Sequence, residues 1–456
     1  MITNRVELAT TLHRSVALDS IEAGIAAADP ETVVRERIEG NGQSLIVDGT
    51  TYKLDEFDRV IVLGAGNAAG HLATALEGVL GERIDDGIVV TDNPVQAETI
   101  DVRRGDHPIP SQRGLEHTAA LLELAEEATE DDLVLALIGG GGSALLVAPA
   151  DGLTLSDLQE TTKAGLASGA TITELNAIRK HCSTVKGGQL ARTIAPAKTV
   201  GLVMSDVIGD DLSVVASGPT VSDDSTYADA LDVLDRYDIN VPQAVRDRLK
   251  RGRRGVEPET PSAGDPEFDQ VAMHVLTTGY VALEAAANVA RNHGFEPLIL
   301  AAGIRGEARE AAKTHVAIAE QVLETGQPIE PPAVLLTGGE TTVTLCDDSG
   351  DGGSNQEFGL SAALEIAAER ITVASVDTDG IDGASEVAGA LVDTDTIPDR
   401  LSRPAAQEAL RRNDALPVLD QAGDLIRTGP TTTNVNDLRV IVVDDGSYSK
   451  DRSELS

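Results

Sequence analysis

The pattern Gly64-x-Gly66-x-x-Ala69 stands where the apolar run 58–63 gives way to a segment rich in Ala and Leu. Glycines between a strand and a helix let backbone N–H groups reach a phosphate at the helix start. Close strand–helix packing uses the same residues, so this pattern alone is weak. Gly139-Gly140-Gly141-Gly142-Ser143, directly after the apolar run 133–138, is stronger. Successive glycines expose several N–H groups, a nest suited to anionic oxygens, and Ser143 could add its hydroxyl. No Lys follows at P-loop spacing, so this is not a Walker A motif. Arg179, Lys180 and His181 follow Asn176, with Lys186-Gly187-Gly188 close behind. Four of the chain's eight lysines fall between 163 and 198. In so acidic a chain, such cations point to an anionic ligand, with pairing to nearby carboxylates as the competing reading.

Ser205-Asp206 ends another apolar run and leads into Gly209, Asp210 and Asp211, then Ser217 and Gly218. Carboxylates at a strand end beside a phosphate cradle suit Mg2+, often through water, and Asp206 and Asp210 are the candidates. Turn and cap chemistry competes with that reading. The second half repeats the style in four polar loops. These are Gly338-Gly339-Glu340-Thr341, then 350–357 with Ser354, Asn355 and Glu357, then 377–383 with Asp379 and Asp382, and 429–437 with Asn434. One such loop could be a turn; four in one region are hard to explain as turns only.

These loops need elements to hold them. Short apolar runs at 58–63, 87–90, 133–138 and 200–204 read as buried strands, separated by helical spacing over 67–80, 115–128 and 155–168. Strands alternating with helices, each strand ending in Gly, Ser or Asp, predict an α/β fold with a doubly wound parallel sheet. Ligands of such sheets bind outside the carboxyl ends of the strands. The stretch 250–269, rich in Arg, Gly and Pro, reads as a linker or exposed crossover. Strands are then expected at 271–277, 297–301, 333–336, 341–345 and 371–376, with helices at 4–28, 282–294, 307–325 and 359–370. The expected organisation is a Rossmann-like domain over 1–250 and a smaller α/β domain over 251–456. A cleft is expected between them, with the last strand free to return to the first domain.

Composition excludes several classes. The chain has 456 residues, 36 basic and 75 acidic, for a net charge of −39, and nine aromatics with no Trp. Such a charge repels phosphate backbones, which argues against nucleic-acid partners. No apolar run nears the ~18–20 residues of a membrane span. The opening residues lack a signal-peptide core, so a cytoplasmic protein is expected. Cys182 and Cys346 cannot build a disulfide framework. The dispersed acidity with little Lys fits molar salt, where charge is screened over ~3 Å, and points to a halophilic source.

Taken together, GAGNAAG at 64–70, DHPIP at 106–110, GGGGSALL at 139–146 and SGATITELNAIRKHCSTVKGG at 168–188 resemble type 2 glycerate kinases, whose C-terminal part is called the MOFRL domain. SDVIGDDLSVVASGPTVSD at 205–223, GGETTVTL at 338–345, GGSNQE at 352–357, DTDGIDGASEVAGALVD at 377–393 and TGPTTTNVNDL at 428–438 continue the likeness in the same order. The resemblance implies phosphorylation of a small molecule, glycerate, to 2-phosphoglycerate with ATP and Mg2+, and is compatible with a homo-oligomer. It implies catalytic positions at Asn67, Lys186, Asp206 and Ser354. Substrate and nucleotide would be bound by Gly64, Gly66, Gly140, Gly141, Gly142, Ser143, Arg179, Gly209, Ser217, Gly218, Gly339, Glu340, Asn355, Glu357, Asp379, Asp382 and Asn434. Metal would go to Asp206 and Asp210.

Two departures stand out. The family pattern has Lys where this chain has Asn67, and Arg where it has Ser354. Both replace a cation by a neutral group, which leaves three readings: a sugar-acid kinase with other cations compensating, a kinase for a different sugar acid or polyol, and a non-catalytic nucleotide-binding homologue. A dehydrogenase is the reading from another reaction class, because Gly64-x-Gly66-x-x-Ala69 also suits NAD.

Overall fold

The computed structural model describes residues 1–398 and 402–446. The chain forms two compact units, Pro30–Thr277 and the combination of Met1–Asp29 with Thr278–Ser456.

In the unit Pro30–Thr277, a small antiparallel sheet of β1 (Ile38–Gly40), β2 (Ser44–Val47) and β3 (Thr50–Lys53) precedes the main one. The main sheet contains β4 (Arg59–Ala65), β5 (Asp86–Thr91), β6 (Asp101–Arg104), β7 (Asp132–Gly139), β8 (Lys198–Met204) and β9 (Val271–Thr277). Its order is β6-β5-β4-β7-β8-β9, and every neighbour is parallel. This is the doubly wound order of nucleotide-binding folds, and it reverses direction between β4 and β7. The strands are apolar runs because helices cover both faces. Val60, Val62, Leu133, Leu135 and Leu137 face one core with Leu72 and Leu76 of helix Ala69–Leu80. Ile61, Leu63 and Val134 face the other with Leu121 of helix Gln112–Glu126.

The second unit holds β10 (Glu296–Ile304), β11 (Ala333–Gly339), β12 (Ile371–Asp377), β13 (Gly389–Val392), β14 (Leu425–Ile426) and β15 (Asp437–Val443), in the order β10-β11-β15-β12-β13-β14. Only β10 and β11 run parallel; β15 lies antiparallel between β11 and β12. Helices Leu12–Ala27 and Gly279–Asn292 cover one face of this sheet. Ala308–Thr325 and Ser354–Glu365 cover the other. Among the described helices none is long and apolar enough to cross a membrane.

The α/β class expected from the alternating runs is what the chain adopts, but several details differ. The units do not divide at 250. β9 pairs with β8 and completes the first sheet, so the irregular stretch before it is a crossover. The N-terminal helix, broken into Arg5–Leu8 and Leu12–Ala27, packs in the second unit because its apolar face covers that sheet. β15 stays in the second sheet and does not return to the first. No strand forms over 341–345, where Thr342 makes a single bridge to Glu307. The helix expected over 359–370 is Ser354–Glu365.

Close approach at the reversal point requires glycine. A Cβ on Gly64 would lie 2.3 Å from the Leu137 carbonyl oxygen. Gly66 has φ +154°, and its Cβ would lie 2.8 Å from Gly139 Cα. Gly64→Ala should therefore destabilise the protein by roughly 1–3 kcal/mol, because backbone must move. Gly78, exposed in helix Ala69–Leu80, has nothing within 4 Å of its Cβ position. Gly78→Ala should stabilise by about 0.5–1 kcal/mol. Denaturant unfolding of the two variants checks the opposite signs.

Candidate active site

The carboxyl ends of β4 and β7 bring the two glycine loops together. Asn67 N–H donates to the Gly140 carbonyl at 2.8 Å, and Gly66 N–H donates to Val90 at 3.2 Å. Thr91 Oγ1 donates to the Asn67 carbonyl at 2.9 Å. The cradle is shaped by side chains that leave no room for a Cβ on the glycines. One on Gly141, which has φ +75°, would lie 1.8 Å from Asn67 Oδ1, and one on Gly140 would lie 2.2 Å from Asp206 Oδ2. One on Gly142 would lie 2.6 Å from Ala216 Cβ. Asn67 Oδ1 is buried and has no hydrogen-bond partner among the described residues, and the same holds for Asp92 Oδ1, just past the end of β5. Asp92 was not among the sequence candidates, although an acid near the end of the second strand is a recurring ribose reader in this fold.

The cations sort into two kinds. Lys180 pairs with buried Asp223 at 3.0 Å, and His181 Nε2 lies 2.9 Å from Glu259. Both are therefore parts of the framework. Arg179 and Lys186 make no ion pair among the described residues. Lys186 is buried and donates to the Leu146 carbonyl at 2.6 Å. Burial, and then the charge of Arg179, push its ammonium down to about 7. Burial also lowers Arg179 from its ordinary value. The two line a recess with Pro110, Ser143, Thr161 and Ser183. Behind it, Ser143 Oγ meets Ser217 Oγ at 2.7 Å, Ser217 donates to Asn176 Oδ1 at 3.0 Å, and Arg179 donates to the same oxygen at 3.3 Å. Ser217 sits in a left-handed turn with Ala216 and Gly218, at φ 62°, 50° and 59° respectively. Gly209 and Asp210 occupy the turn that follows Val207, and a Cβ on Gly209 would meet nothing within 4 Å. Among the described residues no group of three or more His, Cys, Asp or Glu is placed to hold a metal.

In the second unit, reversal of β15 gathers the polar loops. Because it runs antiparallel, its first residue, Asp437, lies opposite both Gly339 at the end of β11 and Asp377 at the end of β12. Asp437 accepts from Thr341 N–H at 3.1 Å and Asn355 Nδ2 at 2.6 Å, and pairs with fully buried Arg439. Ser375 Oγ donates to Asn355 Oδ1 at 2.6 Å. Asp382 caps helix Ser354–Glu365, accepting from Asn355 N–H at 3.0 Å and Gln356 N–H at 2.8 Å; burial nevertheless pushes its carboxyl up to about 6. Glu357 is buried between Asn413 at 2.9 Å and Arg309 at 3.3 Å. Asn355 and Asp382 thus bond to each other, while Glu357 faces Asn413 and Arg309. Ser354, Asp379 and Asn434 are partly exposed at this sheet edge, and Glu340 is exposed. Asp377 and Asp437 were not singled out by sequence reasoning. Burial and the charges of Asp379 and Asp437 hold the Asp377 carboxyl well above its ordinary range.

A doubly wound sheet with a glycine nest and buried cations, followed by a mixed α/β unit, defines the class. Residues 16–250 match the model of a domain of unknown function, DUF4147, and residues 333–437 match that of the MOFRL family. The chain is 38% identical to a glycerate 2-kinase of Pyrococcus horikoshii, over 94% of this chain and 97% of that protein. It is 40% identical to an Agrobacterium vitis protein provisionally named a hydroxypyruvate reductase, over 94% of each. A crystal structure of glycerate kinase from Thermotoga maritima matches with a TM-score of 0.81 and 36% identity, covering 94% of this chain and 99% of that one. The chain belongs to the glycerate kinase family.

The buried cations generate a test. Below about pH 7 Lys186 carries its proton, so an oxyanion should bind and stabilise the fold more strongly there. Sulfate should raise the melting temperature more at pH 6 than at pH 8.5. The difference should vanish in Lys186→Met.

Proposed function

We propose that this protein is a glycerate kinase, moving the terminal phosphoryl group of ATP to a hydroxyl of glycerate to give 2-phosphoglycerate. The observation that carries the reading is buried Lys186 with half-buried Arg179, lining one recess with Ser143 of the glycine nest and without a carboxylate partner among the described residues. A buried charge without a counter-ion is costly, and a bound acid supplies the missing negative charge. The names of the relatives point the same way. The ATP phosphates would rest on the N–H groups of the glycine loop 140–143, with Asp92 near the ribose. Asp206, pressed against Gly140, fits Mg2+, which is commonly held by one or two carboxylates together with phosphate oxygens and water. When bound, it would neutralise charge on the phosphates. The chain's own work is placement: the nest orients phosphate oxygens, while Arg179 and Lys186 hold the acid's carboxylate.

Asn67 and Ser354 stand where the family pattern has cations. In this proposal the remaining cations, with K+ from a molar-salt cytoplasm, compensate. A coupled assay with ATP, Mg2+ and D-glycerate in molar KCl should yield 2-phosphoglycerate. No product at any salt concentration would refute the kinase reading. NADH absorbance should stay constant with hydroxypyruvate. Adding back charge through Asn67→Lys with Ser354→Arg should raise kcat/KM by about tenfold or more, since one well-placed stabilising group is worth roughly 2.7–4 kcal/mol.

The pH profile has a defined sign. Lys186 holds the carboxylate only when protonated, and in the free enzyme its ammonium titrates at about 7. Since kcat/KM reports free-enzyme groups, its value for glycerate should fall as pH rises above about 7. Lys186→Met should be low throughout and lack that fall.

A further inference from the structure

The hydrogen bonds behind the recess have a direction that follows from counting protons. A hydroxyl offers one proton and two lone pairs, and an amide oxygen offers lone pairs only. Asn176 is fixed in orientation: its Nδ2 donates to the Val214 carbonyl at 3.2 Å, and Arg179 Nη1 donates to its Oδ1 at 3.3 Å. The opposite orientation would set amide N–H against guanidinium N–H, and oxygen against oxygen. Oδ1 therefore faces Ser217 Oγ at 3.0 Å and takes that hydroxyl's proton. Ser217, fully buried, keeps only lone pairs for Ser143 at 2.7 Å. The Ser143 proton thus points inward to Ser217, and its own lone pairs face the recess shared with Arg179 and Lys186.

A lone pair is a poor neighbour for a phosphate or carboxylate oxygen and a good one for an O–H group. This reverses the sequence expectation that Ser143 donates to an anion. We propose that Ser143 accepts a hydrogen bond from a hydroxyl of the bound acid, making the site selective for hydroxy acids over acids that lack it. The inference rests on the anion-holding role proposed above for Arg179 and Lys186. The turn 216–218 supports it: non-glycine residues held at positive φ cost energy and persist where the surroundings demand them. Here they hold the Ser217 hydroxyl between Ser143 and Asn176.

Calorimetric binding without ATP tests the proposal on the full chain, with D-glycerate, lactate, 3-hydroxypropanoate and propanoate as probes. The wild type should bind D-glycerate and at least one of the two monohydroxy acids about tenfold tighter than propanoate, the value of one good hydrogen bond. Ser143→Ala should lose that preference and keep its propanoate affinity within about twofold. A wild type without the preference overturns the proposal, as does a Ser143→Ala variant that weakens all four acids equally or keeps the preference. Glycerate turnover measured alongside separates the two readings. A wild type that phosphorylates glycerate without preferring hydroxy acids overturns the hydroxyl role alone. A protein that neither binds nor phosphorylates any of the acids overturns both.

Discussion

Two strand ends can share one binding point only if nothing stands between them. At the reversal between β4 and β7, Gly64 packs against the Leu137 carbonyl and Gly66 against Gly139, at distances no Cβ could tolerate. That contact sets the spacing of everything laid over it. Asn67 and Asp206 fill the places where Gly141 and Gly140 would otherwise carry side chains, and Ala216 does the same at Gly142. Glycine loses more conformational entropy on folding than any other residue. The gain here is a loop whose N–H groups remain available to a ligand, held by a sheet that is buried on both faces.

Upon this backbone frame the fold distributes charge unevenly. A chain of net charge −39 has carboxylates to spare, and it uses them to neutralise Lys180 and to face His181. It leaves Arg179 and Lys186 without such partners among the described residues. Burial then acts on the unpaired groups, lowering Lys186 toward neutrality. The second unit shows the converse at the start of β15. There Asp377, Asp379 and Asp437 crowd together, and the first is pushed up by burial and by the charge of the other two. Asp437 also ties together the ends of two strands, the loop at Thr341 and the helix that begins at Ser354.

Much of the first unit was legible in its residues. Continuous apolar runs mark buried parallel strands, and β4, β5, β7 and β8 lie where those runs do. Loops whose chemistry is local, such as 64–67 and 139–143, could be read as glycine-rich strand ends without coordinates. The unit boundary could not. The composition of 250–269 signals irregular backbone, and irregular backbone serves a crossover as well as a linker. Pairing of β9 with β8, which lie far apart in sequence, decides between them. Thr341–Leu345 has the alternating residues of a strand, but the pairing of Thr342 with Glu307 stays an isolated bridge and no strand forms.

Residue order alone implies the α/β class, the glycine loops and which residues are polar enough to matter. Those properties arise from local conformational preference and from the spacing of apolar side chains, which neighbours along the chain suffice to express. Which of four cations stay unpaired, that Asp92, Asp377 and Asp437 join the candidate groups, and which way the Ser143 proton points depend on the assembled chain. Each is set by desolvation or by a donor and acceptor far apart in sequence: Asn176 with Val214, Ser143 with Ser217, Lys180 with Asp223. No local pattern records those meetings, so folding alone decides them.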